Sequence, residues 1–140
     1  MQSTIQTLFL KACEIGDLTK VKTKLKEDSN LINCVTKQGW TGLVLAVYNE
    51  NVKIAKYLIS NGADVNASNF KGTTVFMYAK TPILEKPTQI KFLDYLISVG
   101  ANINSVDVFG KTVLDYVEEK KVSTLTNWLI TKGAKSAKEL

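Results

Sequence analysis

The chain of 140 residues contains no histidine and no arginine, and only two cysteines and two prolines. Without histidine the commonest general base is missing, together with the Ser–His–Asp triad, the Cys–His dyad and the commonest metal ligand. Cys13 and Cys34 alone make neither a zinc site nor a disulfide framework, and Cys13 is expected to be a small core residue. Neither G-x-G-x-x-G nor G-x-x-x-x-G-K-[ST] is present, so no phosphate-cradling loop is expected. Glu118 and Glu119 are adjacent carboxylates, but neighbours on a helix point apart, and Lys120 and Lys121 follow them. These absences predict a protein that is not an enzyme and has no cofactor, no metal and no small-molecule substrate.

All 18 basic residues are lysine against 13 acidic ones, a formal charge of +5. Arginine supplies the bidentate contacts of specific nucleic-acid recognition, so its absence argues against that class. A nucleic-acid binder would have to gather its lysines on one face and bind in a salt-dependent way. No stretch is long and apolar enough to span a bilayer. The N-terminal run is interrupted by Gln6, Thr7 and Lys11 and is not a signal peptide, so a cytoplasmic location is the expectation.

What the chain does have is repetition. Asn61-Gly62-Ala63-Asp64-Val65-Asn66 returns as Val99-Gly100-Ala101-Asn102-Ile103-Asn104 and starts again at Lys132-Gly133-Ala134. A second phrase interleaves with it: Gly39-Trp40-Thr41, Gly72-Thr73-Thr74 and Gly110-Lys111-Thr112. Both phrases advance by 33 residues in one step and 38 in another, so both place a five-residue insertion in the same unit. Two markers with one period identify a repeat architecture. Seven of the eight glycines fall at turns of the repeat, Gly42 being the exception.

This pattern resembles the ankyrin repeat over nearly the whole chain. The G-x-T phrase opens a first helix, and apolar residues such as Val52, Ala55, Leu58 and Ile59 line a second one that ends in G-A-D-V-N. The resemblance implies an all-α solenoid of stacked helix-turn-helix units with short β-hairpin-like turns, filling residues 1–140 as one domain. The units are expected at about 4–36, 37–69, 70–107 and 108–135, with the insertion near 81–89 and a frayed tail over 136–140. Two departures stand out. The family's T-P-L-H reads Thr41-Gly42-Leu43-Val44, Thr74-Val75-Phe76-Met77 and Thr112-Val113-Leu114-Asp115, with neither the helix-starting Pro nor the repeat-linking His.

Local signals refine the expectation. The segment 7–18 aligns with the later first helices, with Gly16 expected in the turn between the two helices, and the second helix should run from Leu18 to about Glu27 as a lysine-rich terminal cap. Pro82 should end the first helix of the third unit and Pro87 should open its second, from about Thr88. Ile83 and Leu84 in the insertion are either folded over the helix pair, the favoured reading, or an extra contact point. Asn66 and Asn104 are expected to serve their own turns. Trp128 replaces Tyr57 and Tyr95 in the last unit and is expected to cover the open end of the stack.

The resemblance also implies a job, since such repeats hold proteins with their hairpin tips and the exposed face of their first helices. Carried over here, the tips are Lys37, Gln38 and Trp40; Phe70, Lys71 and Thr73; and Val108, Phe109 and Lys111. The groove positions are Glu14 and Ile15, Tyr48 and Asn49, and Glu118 and Glu119. Trp40, Phe70 and Phe109 would form an aromatic row with Lys37, Lys71 and Lys111 beside them, suited to a protein partner with an acidic surface. The alternative for the aromatics is packing between neighbouring tips. Protein–protein binding, of an inhibitor, immunity or effector type, is therefore the functional expectation. Self-assembly and, less favoured, nucleic-acid binding are the rivals.

Overall fold

The computed structural model describes residues 3–140, which form eight α-helices in four consecutive pairs. These are α1 (Thr4–Ile15) and α2 (Leu18–Glu27), α3 (Gly42–Tyr48) and α4 (Val52–Ser60), α5 (Val75–Ile83) and α6 (Lys91–Ser98), and α7 (Val113–Glu119) and α8 (Ser123–Thr131). Each pair packs on itself. The first helices stack α1 on α3 on α5 on α7 as an inner layer, while α2, α4, α6 and α8 form the outer one. The turns between pairs close with isolated bridges, Val35 with Thr41 and Ser68 with Thr74. This is the expected solenoid.

The G-x-T phrase has a direct mechanical meaning. Thr41, Thr74 and Thr112 are the N-caps of α3, α5 and α7, and each hydroxyl accepts the backbone N–H three residues on, from Val44, Met77 and Asp115. The seven turn glycines are the seven with positive φ. Gly42 is different. It opens α3 against α1, and a Cβ there would lie 2.9 Å from both Cys13 Sγ and Phe9 Cε2. Phe9 and Cys13 are fully buried and occupy the space that a side chain at residue 42 would need. The departure from the family's Pro is thus a packing consequence of the larger residues on α1.

The repeated asparagines do something other than the expected service to their own turns. Asn66 Nδ2 donates to Gly100 O at 3.0 Å, and Asn66 Oδ1 accepts from Asn102 N at 2.7 Å. Asn104 repeats this one unit on, donating to Gly133 O at 3.1 Å and accepting from Lys135 N at 2.8 Å. A side-chain amide has a donor and an acceptor at a peptide's spacing, so it can pair with the backbone of the next unit like a strand fragment. Nothing within one unit's sequence could reveal a partner 29 to 36 residues away.

The third unit corrects both proline expectations. α5 continues through Pro82 to Ile83, and α6 begins at Lys91, beyond Pro87. Pro82 is the eighth residue of α5 and forgoes one hydrogen bond, but it lies at the frayed end of the helix, where Ile83 is anchored in the core. Leu84 packs on that core too, so the insertion folds over its own helix pair as favoured. At the start of the chain, α1 begins at Thr4 because Ser3 and Gln6 form a capping box.

The tail is docked rather than frayed. Ala137–Glu139 forms a 3₁₀ turn, Ser136 is buried, and Ser136 with Glu139 makes a capping box, as Thr112 with Asp115 does at the start of α7. Thr112 Oγ1 donates to Lys135 O at 2.7 Å, and Ala137 N donates to Asp115 Oδ2 at 3.1 Å. Asp115, which stands at the family's His, therefore ties α7 to the segment that follows the last pair.

Aromatics and lysines stitch the outer layer. Lys22 of α2 lies over the Tyr57 ring of α4 at 5.3 Å, and Lys56 of α4 over the Tyr95 ring of α6 at 4.8 Å. In the third slot the sign is inverted: Asp94 of α6 pairs with Lys132 at 2.9 Å, and Lys132 covers Trp128 at 5.7 Å. Trp128 is only half-buried beneath that lysine.

Two outcomes test these joints. Gly42→Ala should destabilise by about 1–3 kcal/mol through overpacking. In a double-mutant cycle by urea unfolding, Cys13→Ala should recover at least about 0.5 kcal/mol of that loss. Asn66→Ala and Asn104→Ala should each lower stability by about 1 kcal/mol, and Asn66→Asp should not restore it, because a carboxylate cannot donate to Gly100 O.

Candidate protein-binding surface

The tips are built by short polar side chains that hold their own backbone. Thr36 N donates to Trp40 O, and Trp40 N returns to Thr36 Oγ1. In the next tip Asn69 Oδ1 accepts from Lys71 N and Thr73 N, both at 3.0 Å. In the last, Asp107 Oδ1 accepts from Phe109 N and Lys111 N. Val108 N donates to Lys71 O at 2.9 Å and joins the last two tips directly.

This scaffold places the three tip aromatics differently. Phe70 is 75% exposed and Phe109 64% exposed, and Val108 between them is equally open at 64%. The Phe70 ring edge also rests on the preceding tip, where a Cβ on Gly39 would meet it at 3.1 Å. Trp40 leaves the row. It turns into the groove and packs on Tyr78 at 5.4 Å and Tyr48 at 6.4 Å, with those two tyrosines edge-on to each other at 5.8 Å. Its indole Nε1 is the only buried side-chain nitrogen or oxygen without a hydrogen-bond partner among the described residues. The exposed apolar edge is therefore Phe70, Val108 and Phe109.

The charged and polar candidates also divide. Lys37 and Lys71 are exposed at their tips. Lys111 is ion-paired with Glu119 and lies over the Tyr116 ring at 5.3 Å. The hydrogen bond to Glu119 raises its pKa. Asn49 bends its amide back to Leu45 O at 2.8 Å, and Glu14 pairs with Lys11. Tyr48 remains 44% exposed, and Ile15 and Glu118 are exposed. A cleft of about 340 Å³ lies between Lys11, Glu14, Gln38 and Trp40.

Two groove residues escaped the sequence reading, Tyr78 and Tyr116. Each stands four positions after its N-cap threonine, and the Thr-x-x-x-Tyr spacing was the available signal. Asn69 Nδ2 donates to the Tyr78 hydroxyl at 2.8 Å. In the next unit the direction reverses, since the Tyr116 hydroxyl donates to Asp107 Oδ2. Burial, then that bond and the Asp107 charge, push Tyr116 up to about 12. A raised phenol pKa means the unfolded chain ionises first, so this contribution is complete below about pH 10 and is lost as pH climbs toward 12. Asp107→Asn should bring the Tyr116 titration down, read by ultraviolet difference absorbance of single-tyrosine variants.

Among the described residues no group of three or more His, Cys, Asp or Glu side chains could hold a metal, and no helix is long and apolar enough to cross a membrane.

Comparison with known proteins agrees with this geometry. A family model of ankyrin repeats in three copies matches residues 8–107. A putative ankyrin repeat protein of Rickettsia bellii is 35% identical over 77 residues, 53% of this chain and 11% of that protein. The ankyrin repeat and SAM domain-containing protein 6 of Rattus norvegicus is 33% identical over 70 residues, 50% of this chain and 8% of its own length. The 2-5A-dependent ribonuclease of Mus musculus is 34% identical over 71 residues, 51% of this chain and 10% of that protein. The chain thus matches only about a tenth of each relative's length. With the period, the threonine-capped inner helices and the matched span in agreement, the chain belongs to the ankyrin-repeat family.

Proposed function

We propose that this chain is a non-enzymatic module that binds a partner protein through the edge formed by Phe70, Val108 and Phe109. The observation that carries this reading is the exposure of three large apolar side chains on two adjacent tips that are hydrogen-bonded together. Exposed apolar groups cost solubility singly and mark interaction sites when contiguous and rimmed by polar residues. The polar residues of the same tips and first helices, Lys37, Lys71, Tyr48, Asn49, Glu118 and Glu119, are all exposed. Apolar contact would supply affinity, while Lys37 and Lys71 would favour an acidic partner surface. Lys111, already paired with Glu119, would contribute less steering. An inhibitor, immunity or effector-type role in the cytoplasm is the finer form of this reading. It rests on the family resemblance alone.

The test compares wild type with Phe70→Ser/Phe109→Ser in affinity capture from the native lysate, read by mass spectrometry. Trp40 is left intact because it packs on Tyr48 and Tyr78. A protein captured by wild type should fall at least about tenfold with the variant, as expected when interface hot spots are removed. Equal capture would overturn the proposal. A mass that rises with concentration for wild type alone, by analytical ultracentrifugation, would assign the edge to self-assembly instead.

A further inference from the structure

The structure separates the molecule's charge by layer. The outer helices α2, α4, α6 and α8, with their C-caps, carry eight lysines and three carboxylates, a surplus of five that equals the charge of the whole chain. The remainder of the chain is therefore neutral overall. Two of the three outer carboxylates are already answered, Glu27 by Lys24 at 3.5 Å and Asp94 by Lys132.

The remaining lysines converge. Lys53 and Lys56 lie opposite the buried Ile54, Ala55 and Leu58 on α4, and Lys91 lies opposite Leu93 and Leu96 on α6. Lys22 and Lys26 are one turn apart on α2, on the side from which Lys22 reaches the Tyr57 ring of α4. The Lys22 and Lys56 ammonium groups lie over the Tyr57 and Tyr95 rings, which draws them toward the neighbouring outer helix. Lys22, Lys26, Lys53, Lys56 and Lys91 are all exposed, and none is in an ion pair among the described residues.

We infer that this outer face of α2, α4 and α6 docks on the phosphate backbone of double-stranded nucleic acid, without reading its sequence. The aromatic side chains of this face, Tyr57, Phe92 and Tyr95, are only partly exposed, and Lys22 and Lys56 lie over the two tyrosines. None of the large exposed hydrophobic residues lies on α2, α4 or α6. A protein partner would need apolar or aromatic anchors, and interface cores are depleted in lysine. A bilayer partner would need an inserting group as a second signal. A duplex needs neither, because release of condensed counterions by a set of fixed lysines drives its binding. With no arginine fork in the chain, the contacts position the duplex and do not specify bases. This surface is separate from the tip edge, and the two readings stand or fall independently.

Fluorescence anisotropy with a labelled random-sequence duplex of about 20 base pairs tests it. Five phosphate contacts give a log–log salt slope of about −4.5, or roughly 500-fold weaker binding at 200 mM than at 50 mM salt. Lys26→Gln/Lys53→Gln/Lys91→Gln, which leaves both lysine–tyrosine contacts in place, should weaken binding at least tenfold and flatten the slope by about 3. Lys121→Gln/Lys135→Gln/Lys138→Gln removes the same charge from exposed positions outside α2, α4 and α6 and should change affinity less than about twofold, if position matters beyond net charge. Circular dichroism melts confirm that both variants are folded. Equal loss in both variants would overturn the inference, as would no duplex binding at low salt. Tighter binding to phosphatidylserine vesicles or polyglutamate than to the duplex would also overturn it.

Discussion

No helix pair in this chain can close a core alone. α3 shows this most clearly: residues from Gly42 through Val47 are all buried, because α1 covers one flank, α5 the other and α4 the third. Stability in such an arrangement is a sum of units and of the interfaces between them, and the interfaces decide it. Small residues at Ala12, Ala46 and Ala79 set the distance between inner helices, and each is essentially without solvent contact. Where α1 presents larger side chains, Phe9 and Cys13, its neighbour gives way to Gly42. The stack is one continuous packing problem solved by local exchanges of volume.

Polar joints then fix what apolar packing leaves free. Apolar faces can slide, whereas a bidentate amide can pair with the next backbone in only one register. Asn66 and Asn104 provide this at the turns, and the lysine–tyrosine contacts do so between outer helices. The inversion at Asp94 and Lys132 preserves the joint while exchanging the partners. Asp115 takes on a linking role where the family has His, toward the docked tail instead of a further helix pair. The missing T-P-L-H residues are thus compensated by other contacts rather than left as gaps.

The same geometry divides the surface into regions with different chemistry. Turn backbones held by Asn69 and Asp107 force the following side chain outward, which is why Phe70 and Val108 stand in solvent. Inner-helix tyrosines are drawn to those turn residues by hydrogen bonds and pave the groove. On α2 and α4, whose inward stripes are narrow, lysine takes several of the remaining positions. An apolar edge, an aromatic groove and a cationic back follow from one repeated unit.

The sequence by itself determined the fold class, the period, the insertion, the seven turn glycines and the threonine caps, because all of these are local and recur. A glycine that needs positive φ or a hydroxyl that caps a helix acts within a few residues, so spacing reveals it. The tertiary structure decided what depends on partners a unit away. It turned Trp40 inward onto Tyr78, left Phe70 out, drew Lys111 to Glu119, carried α5 through Pro82 and docked the tail on Asp115. It also decided that Lys22 and Lys56 lie over tyrosines of the neighbouring outer helices. Each of these outcomes is fixed by which side of a helix meets its neighbour, and that depends on packing angles and volumes that no single repeat encodes.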